Sequence, residues 1–241
     1  MVLARLAIVL SLLVLAGCAT TGTHKDDPYE DFNRSMYTFN KGLDTYFLKP
    51  VAKGYDTVTP TVVSDRISGV FDNIDEVPTL ANSLLQWKWG SVGVTFSRFV
   101  INSTLGLGGM FDPASAMGLD RRDEDFGQTL AAWGAPQGAY LMLPFLGPST
   151  MRDVWGKPVD GYLSPMQEID HVRTRNAVRG MDLIDTRKRL LELDPLLEEA
   201  LDEYVFVRDA YLQRRNYLIH DGNPPLPELE DDCDPIDDDC Y

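Results

Sequence analysis

Few side chains in this sequence have the type and spacing that catalysis needs. Histidine is the group best suited to proton exchange near neutral pH, and the chain has three, His24, His171 and His220. They stand in a polar leader, at a helix start and at the junction with an acidic tail, where each reads as solvated. The chain has no Gly-x-Ser-x-Gly elbow, no His-Glu-x-x-His pair and no Cys-x-x-Cys pair. Adjacent acids such as Glu198 and Glu199 read as a solvated helix face. No catalytic residue is assigned, although scattered triads keep a hydrolase as an alternative. Cys233 and Cys240 bracket an aspartate-rich loop. A disulfide is expected there in an exported chain, with free thiols or a bound cation as the other readings. That loop lacks the glycine of a calcium-binding turn, so no metal and no cofactor is expected.

A second constellation concerns passage rather than reaction. Ser91, Thr95, Arg98 and Asn102 recur at spacings of four, three and four, which aligns them as one narrow polar stripe on a helix. Val92, Val94, Phe96, Phe99, Val100, Ile101 and Leu105 surround that stripe. An ordinary surface helix has the reverse pattern. Two readings follow: a core helix with Arg98 paired internally, or a helix with lipid outside and a polar passage inside. An intramembrane charge is costly unless it faces protein or water. Gly and Pro also bracket an apolar patch at residues 140–146. That patch reads either as a loop tucked into the core or as an exposed apolar hairpin.

The N-terminus supplies one more reactive group. Arg5 precedes an apolar run at residues 6–15, too short to span a bilayer, and the sequence Leu15-Ala16-Gly17-Cys18 follows. This matches the lipobox of bacterial lipoproteins, so Cys18 is expected to carry the lipid anchor. Ala19 is not the aspartate that signals inner-membrane retention. Several acyl chains, at about 0.8 kcal/mol per buried CH₂, make such an anchor stable. The formal charge of −15 excludes an electrostatic nucleic-acid surface. No polybasic patch is present for anionic headgroups. Contact with lipid must therefore be apolar.

The elements that position these groups read as helices. Phe32, Met36, Phe39, Leu43 and Phe47 recur every three or four residues across 31–46, and Pro50 suggests a new turn. Residues 60–74 and 78–87 read as two further helices, each with a proline at its start. Residues 90–111 carry the polar stripe and end in glycines, and 126–133 read as a short helix. A helix resumes at 149–155, another spans 177–193, and a last one runs over 195–219 with Asp194 as its cap. No Asn-Gly or Asp-Gly turn joins alternating runs, so hairpin sheets are not expected. Four segments result: a signal peptide at 1–17, a lipidated tether at 18–27, one helical domain at 28–221 and an acidic, disordered tail at 222–241.

Several of these stretches resemble the MlaA/VacJ family. They are Asp27-Pro28-Tyr29-Glu30-Asp31-Phe32-Asn33-Arg34, Phe96-Ser97-Arg98-Phe99 with Asn102-Ser103-Thr104-Leu105-Gly106, and Glu124-Asp125-Phe126-Gly127. Leu143-Pro144-Phe145 and Gly147-Pro148-Ser149, leading to Arg152-Asp153, complete the set. The resemblance runs from the lipobox to about Tyr217 and leaves out the acidic tail. It implies a mostly α, ring- or disc-like lipoprotein embedded in the inner leaflet of the outer membrane and facing the periplasm. Trimeric outer-membrane porins would hold the disc. Mislocalised outer-leaflet phospholipid would pass through its amphipathic channel to the periplasmic lipid carrier MlaC. Candidate residues for the lipid path are Phe39, Asn40, Arg98, Asn102, Tyr140 and Phe145. Two alternatives remain: a porin-associated structural lipoprotein without transport, and a phospholipid hydrolase.

Overall fold

A computed structural model describes Gly22 and residues 24–225. Cys18, Cys233 and Cys240, with nearly all of the expected tail, lie outside the described residues. Helix α1 (Glu30–Leu43) runs through a π turn (Asp44–Leu48) into α2 (Lys49–Val58). The expected restart at Pro50 is therefore a continuation. The wider π turn absorbs the step, with the Lys49 N–H bonded back to the Asp44 carbonyl.

Helix α3 (Thr61–Leu85) corrects the expectation of two helices at 60–74 and 78–87. Pro78 lies inside it, because packing against neighbouring helices on both sides of the proline outweighs one lost backbone bond. Next come α4 (Trp89–Thr104), the single turn α5 (Pro113–Ala116), and α6 (Phe126–Ala132). Asp112 and Asp125 cap α5 and α6 by accepting from Ser115 N and Gln128 N, at 3.0 and 2.8 Å. A hairpin of β1 (Tyr140–Leu143) and β2 (Gly147–Thr150) follows, then α7 (Met151–Leu163), which holds Pro158 inside it. After a 3-10 turn comes α8 (Val172–Arg189), then a second 3-10 turn and the short α9 (Asp194–Glu198). Helix α10 (Glu203–Ile219) completes the domain.

The expected long helix over 195–219 is thus broken. Asp202 caps α10 by accepting from Val205 N at 3.1 Å. Asp194 is not a cap; it holds Lys49 and Arg187 instead, at 3.0 and 2.9 Å.

A paired hairpin departs from the expectation of no hairpin sheets, although a hairpin is one of the two readings of residues 140–146. β1 and β2 pair antiparallel, from Tyr140 opposite Thr150 to Leu143 opposite Gly147. The turn needs positive φ at Phe145 (65°) and Gly147 (74°). Two asparagines of α1 pay for it. Asn33 accepts from Met142 N (2.8 Å) and donates to Tyr140 O (3.0 Å). Asn40 accepts from Phe145 N and donates to Leu143 O, both at 2.8 Å. These side chains serve as a third strand would, which no turn dipeptide signals.

Contacts between elements close a circuit. α1 packs on β1, β2 on α7 and α10, α7 on α6, both on α3, α3 on α8, and α8 on α2, which returns to α1. Inside this mostly helical ring, buried polar and charged side chains outnumber buried hydrophobic ones among the described residues. Large apolar groups stand outside, including Tyr46, Phe47, Trp87, Trp89, Phe96, Leu105, Trp155 and Tyr162. No helix among the described residues is long and apolar enough to cross a membrane.

Where α3 meets the turn after α4, backbones touch. A Cβ on Gly69 would lie 2.3 Å from the Gly109 carbonyl oxygen. Gly69→Ala should therefore destabilise the fold by about 1–3 kcal/mol, read as a lower denaturant midpoint at unchanged slope. Gly54→Ala, where a Cβ meets nothing within 4 Å, is the control.

Candidate functional site: a polar cleft inside an apolar ring

The polar stripe of α4 faces inward. Thr95, Arg98 and Asn102 are buried, with Arg98 only 3% exposed, while Phe96 and Val100 on the same helix, and Leu105 just past its end, are exposed. Arg98 donates to Glu76 (2.7 Å), Ser115 Oγ (2.9 Å), the Leu119 carbonyl (2.5 Å) and Asp112 (3.2 Å). Asn102 donates to Asp112 at 2.9 Å and accepts from Ala114 N at 3.1 Å. Burial opposes the charge on Arg98, but the bonds to Glu76 and Asp112 outweigh it, so its pKa sits above the ordinary value. Burial raises Glu76 despite this partner. Arg98 is thus paired internally, and its helix still turns an apolar face outward. The internal pairing is the one that the core-helix reading expected.

The other candidates gather at the hairpin. Phe39 and Phe145 meet edge to face with ring centres 5.2 Å apart, and Phe145 is 71% exposed. Asn40 clamps the turn between them. Tyr140 is fully buried and stacks edge-on against Tyr204 and Tyr211. Residues 140–146 therefore divide, with Tyr140 and Met142 in the core and Phe145 and Leu146 outside. Arg98 and Asn102 line a separate polar cavity that none of the hairpin candidates shares, so the six residues form two groups rather than one.

A larger cleft lies elsewhere. About 600 Å³ in volume, it is lined by α3 (Asp72, Asp75), the loop before α6 (Arg121, Asp123), Asp160 of α7, Arg189 of α8 and Arg214 and Arg215 of α10. Most of its charges are tied in pairs. Arg215 grips Asp125 and, at 2.8 Å, Asp153, which also accepts from Tyr211 OH at 2.8 Å. Arg121 holds Asp72, and Arg189 reaches the same carboxylate at 3.0 Å. Burial pushes Asp75 up to about 6 and Asp160 up to about 6. Sequence reasoning missed these residues. The charged run at 120–125 has the composition of a surface loop, which is what such runs usually are.

Asp160 offers a test of this electrostatic setting. Its Oδ1 accepts from Asn82 Nδ2 and Phe126 N, at 2.8 and 2.9 Å, so an asparagine can keep both bonds. A carboxyl whose folded pKa lies above its unfolded value favours folding below the unfolded pKa. That contribution is lost as pH rises through the folded pKa. Between pH 5 and pH 7, the wild type should therefore lose thermal stability relative to Asp160→Asn, measured as unfolding midpoints at both pH values.

His24, His171 and His220 remain apart. The His24 ring accepts from Asp26 N at 3.3 Å, and the His220 ring lies 2.8 Å from the Asn216 carbonyl. No cluster of metal-ligating side chains occurs among the described residues.

Comparison with known proteins places this geometry among relatives. The family described as MlaA lipoprotein matches residues 25–218. The chain is 34% identical to the intermembrane phospholipid transport system lipoprotein MlaA of Escherichia coli (strain K12), across 96% of this chain and 97% of that one. It is also 34% identical to the lipoprotein of the same name from Haemophilus influenzae, across 90% of each. A solved structure concerned with maintenance of bacterial outer membrane lipid asymmetry superposes with a TM-score of 0.71 at 35% identity. It covers 81% of this chain and all of the other.

Proposed function

From the premise that this chain belongs to the MlaA lipoprotein family, we propose that it removes mislocalised phospholipid from the outer leaflet of the outer membrane. The lipid passes through the interior of its ring to a soluble periplasmic carrier, MlaC in this family. The observation that carries the reading is the inverted distribution of polarity, with charged and amide side chains inside the circuit and aromatic and aliphatic ones outside. In water such a surface would be a liability. In the hydrocarbon of one leaflet it is the expected solvent-facing side, with Trp and Tyr suited to the headgroup boundary.

The work is passage rather than covalent chemistry. A phospholipid flips slowly because its headgroup must leave water, at a cost of roughly several kcal/mol for unpaired polar groups. A wet cleft of paired charges replaces that water, and lipid tails stay against the apolar rim. No bond is broken and no cofactor is required.

Cys18 anchors the chain in the inner leaflet. The tether to Asp27 reaches at most about 30 Å when extended. Asp27 is fully buried, accepting from Asn33 (2.7 Å), Tyr204 (2.5 Å) and Arg208 (3.3 Å). The edge built by α1, β1 and the start of α10 therefore stays close to the membrane, and trimeric porins grip the apolar rim. Purifying the intact lipoprotein with its porin from outer membranes in mild detergent tests this reading. Phospholipid retained in the complex supports it. A lipid-free complex would instead leave a structural lipoprotein, and lysophospholipid formed by the complex would mark a hydrolase.

A further inference from the structure

Three cavities adjoin in series across α3 and share lining residues. The large polar cleft shares Asp72 and Arg189 with a second polar cavity of about 350 Å³. That cavity shares Arg66 and Met110 with a groove of about 360 Å³, whose other lining residues are Val62, Val63, Ile67, Val70 and Phe71. Apart from Arg66 the groove is apolar. The track thus changes from hydrocarbon-like to polar at one side chain.

Arg66 differs from the cations deeper in the ring. Its guanidinium donates to the Met110 carbonyl at 3.2 Å and lies 4.3 Å from the centre of the Phe111 ring. No ion pair to a carboxylate involves it among the described residues, although Asp65 adjoins it in sequence. Lys188 lines the same cavity, donates to Ser64 Oγ at 3.1 Å and has only a long 3.8 Å contact to Asp56. Asn73, which also lines this cavity and is 7% exposed, leaves its Oδ1 buried without a hydrogen-bond donor. Two under-used cations suit a phosphodiester, and the unpaired acceptor suits the ammonium or hydroxyl beyond it.

We propose that this seam is a docking site for a glycerophospholipid. One acyl chain lies in the Val62–Phe71 groove, the phosphate sits on Arg66, and the headgroup points into the polar cavity. The inference rests on the transport reading and assigns that reading a point of lipid access. The occupant is a lipid and not free phosphate, because the groove offers nothing to an inorganic ion. In a chain of formal charge −15, a cation without a carboxylate at an apolar mouth is where an anionic amphiphile finds complementarity.

The test uses the full lipoprotein in nanodiscs of phosphatidylethanolamine and phosphatidylglycerol. The probe is a phosphatidylethanolamine with a photoactivatable acyl chain, and labelled peptides are mapped. Label is expected on residues 62–71 and Met110. Arg66→Gln should lower it about tenfold, the loss expected for one charge-assisted contact, and Arg66→Lys should retain most of it. A diacylglycerol probe of the same chain length should be indifferent to Arg66→Gln. Millimolar inorganic phosphate should not compete. Arg66 has one backbone partner and one ring contact and no ion pair among the described residues, so the variants should stay folded, with unfolding temperatures close to that of the wild type. Label that is unchanged in Arg66→Gln, that maps away from the groove, or that inorganic phosphate displaces overturns the proposal. If phospholipid still co-purifies with the porin complex of Arg66→Gln, only the seam has failed. If none co-purifies with the wild type, the transport reading has failed with it.

Discussion

Arg98→Leu is expected to cost on the order of 3–5 kcal/mol, because removing one member of a buried ion pair strands the other. Glu76 is 2% exposed and its Oε2 already lacks a partner, so loss of Arg98 leaves the whole carboxylate buried without a cation. The Leu119 carbonyl and Ser115 hydroxyl lose the same donor, which loosens the turn holding α5 against α4. Domains are typically stable by about 5–15 kcal/mol, so much of the margin disappears. Chemical denaturation of the lipoprotein in detergent measures the loss. Adding Glu76→Gln to Arg98→Leu should recover a substantial part of it, since a neutral amide is cheaper to bury than an unpaired charge. A single variant within about 1 kcal/mol of wild type would mean that Arg98 is not held as described.

Cys18→Ala is expected to have the largest effect in cells. In the proposed account Cys18 carries the acyl chains, so without its sulfur the domain would lose the anchor that holds its apolar rim at the leaflet. Fatty-acid labelling should disappear, and outer-leaflet phospholipid should rise to the level of a strain lacking the chain. Label retained on the variant would remove the anchor from the account, whatever the rest of the domain does.

Much of the fold was legible in the sequence because periodicity survives burial inversion. Arg98, Asn102 and their polar neighbours fall on one face whether that face meets water or a protein interior. The stripe therefore placed α4 correctly without saying what it faced. Pro78 misled for a local reason. A proline predicts a boundary from its own backbone, whereas packing around α3 keeps that helix continuous. Asn33 and Asn40 were placed on the right helix, but their role as clamps on the hairpin depends on residues more than a hundred positions away. The cleft was the least legible part. Arg121, Asp160, Arg189 and Arg215 come from four separate segments, and each alone looks like an ordinary surface charge.

The central claim is that this chain lowers phospholipid in the outer leaflet without consuming it. The most direct measurement labels surface-accessible phospholipid in intact cells with the chain present, absent and restored. Lysophospholipid and free fatty acid are followed in the same extracts. The account predicts that accessible phospholipid rises when the chain is removed and falls again when it returns, with no hydrolysis products linked to its presence. Unchanged accessible phospholipid, or restoration accompanied by lysophospholipid, would contradict it.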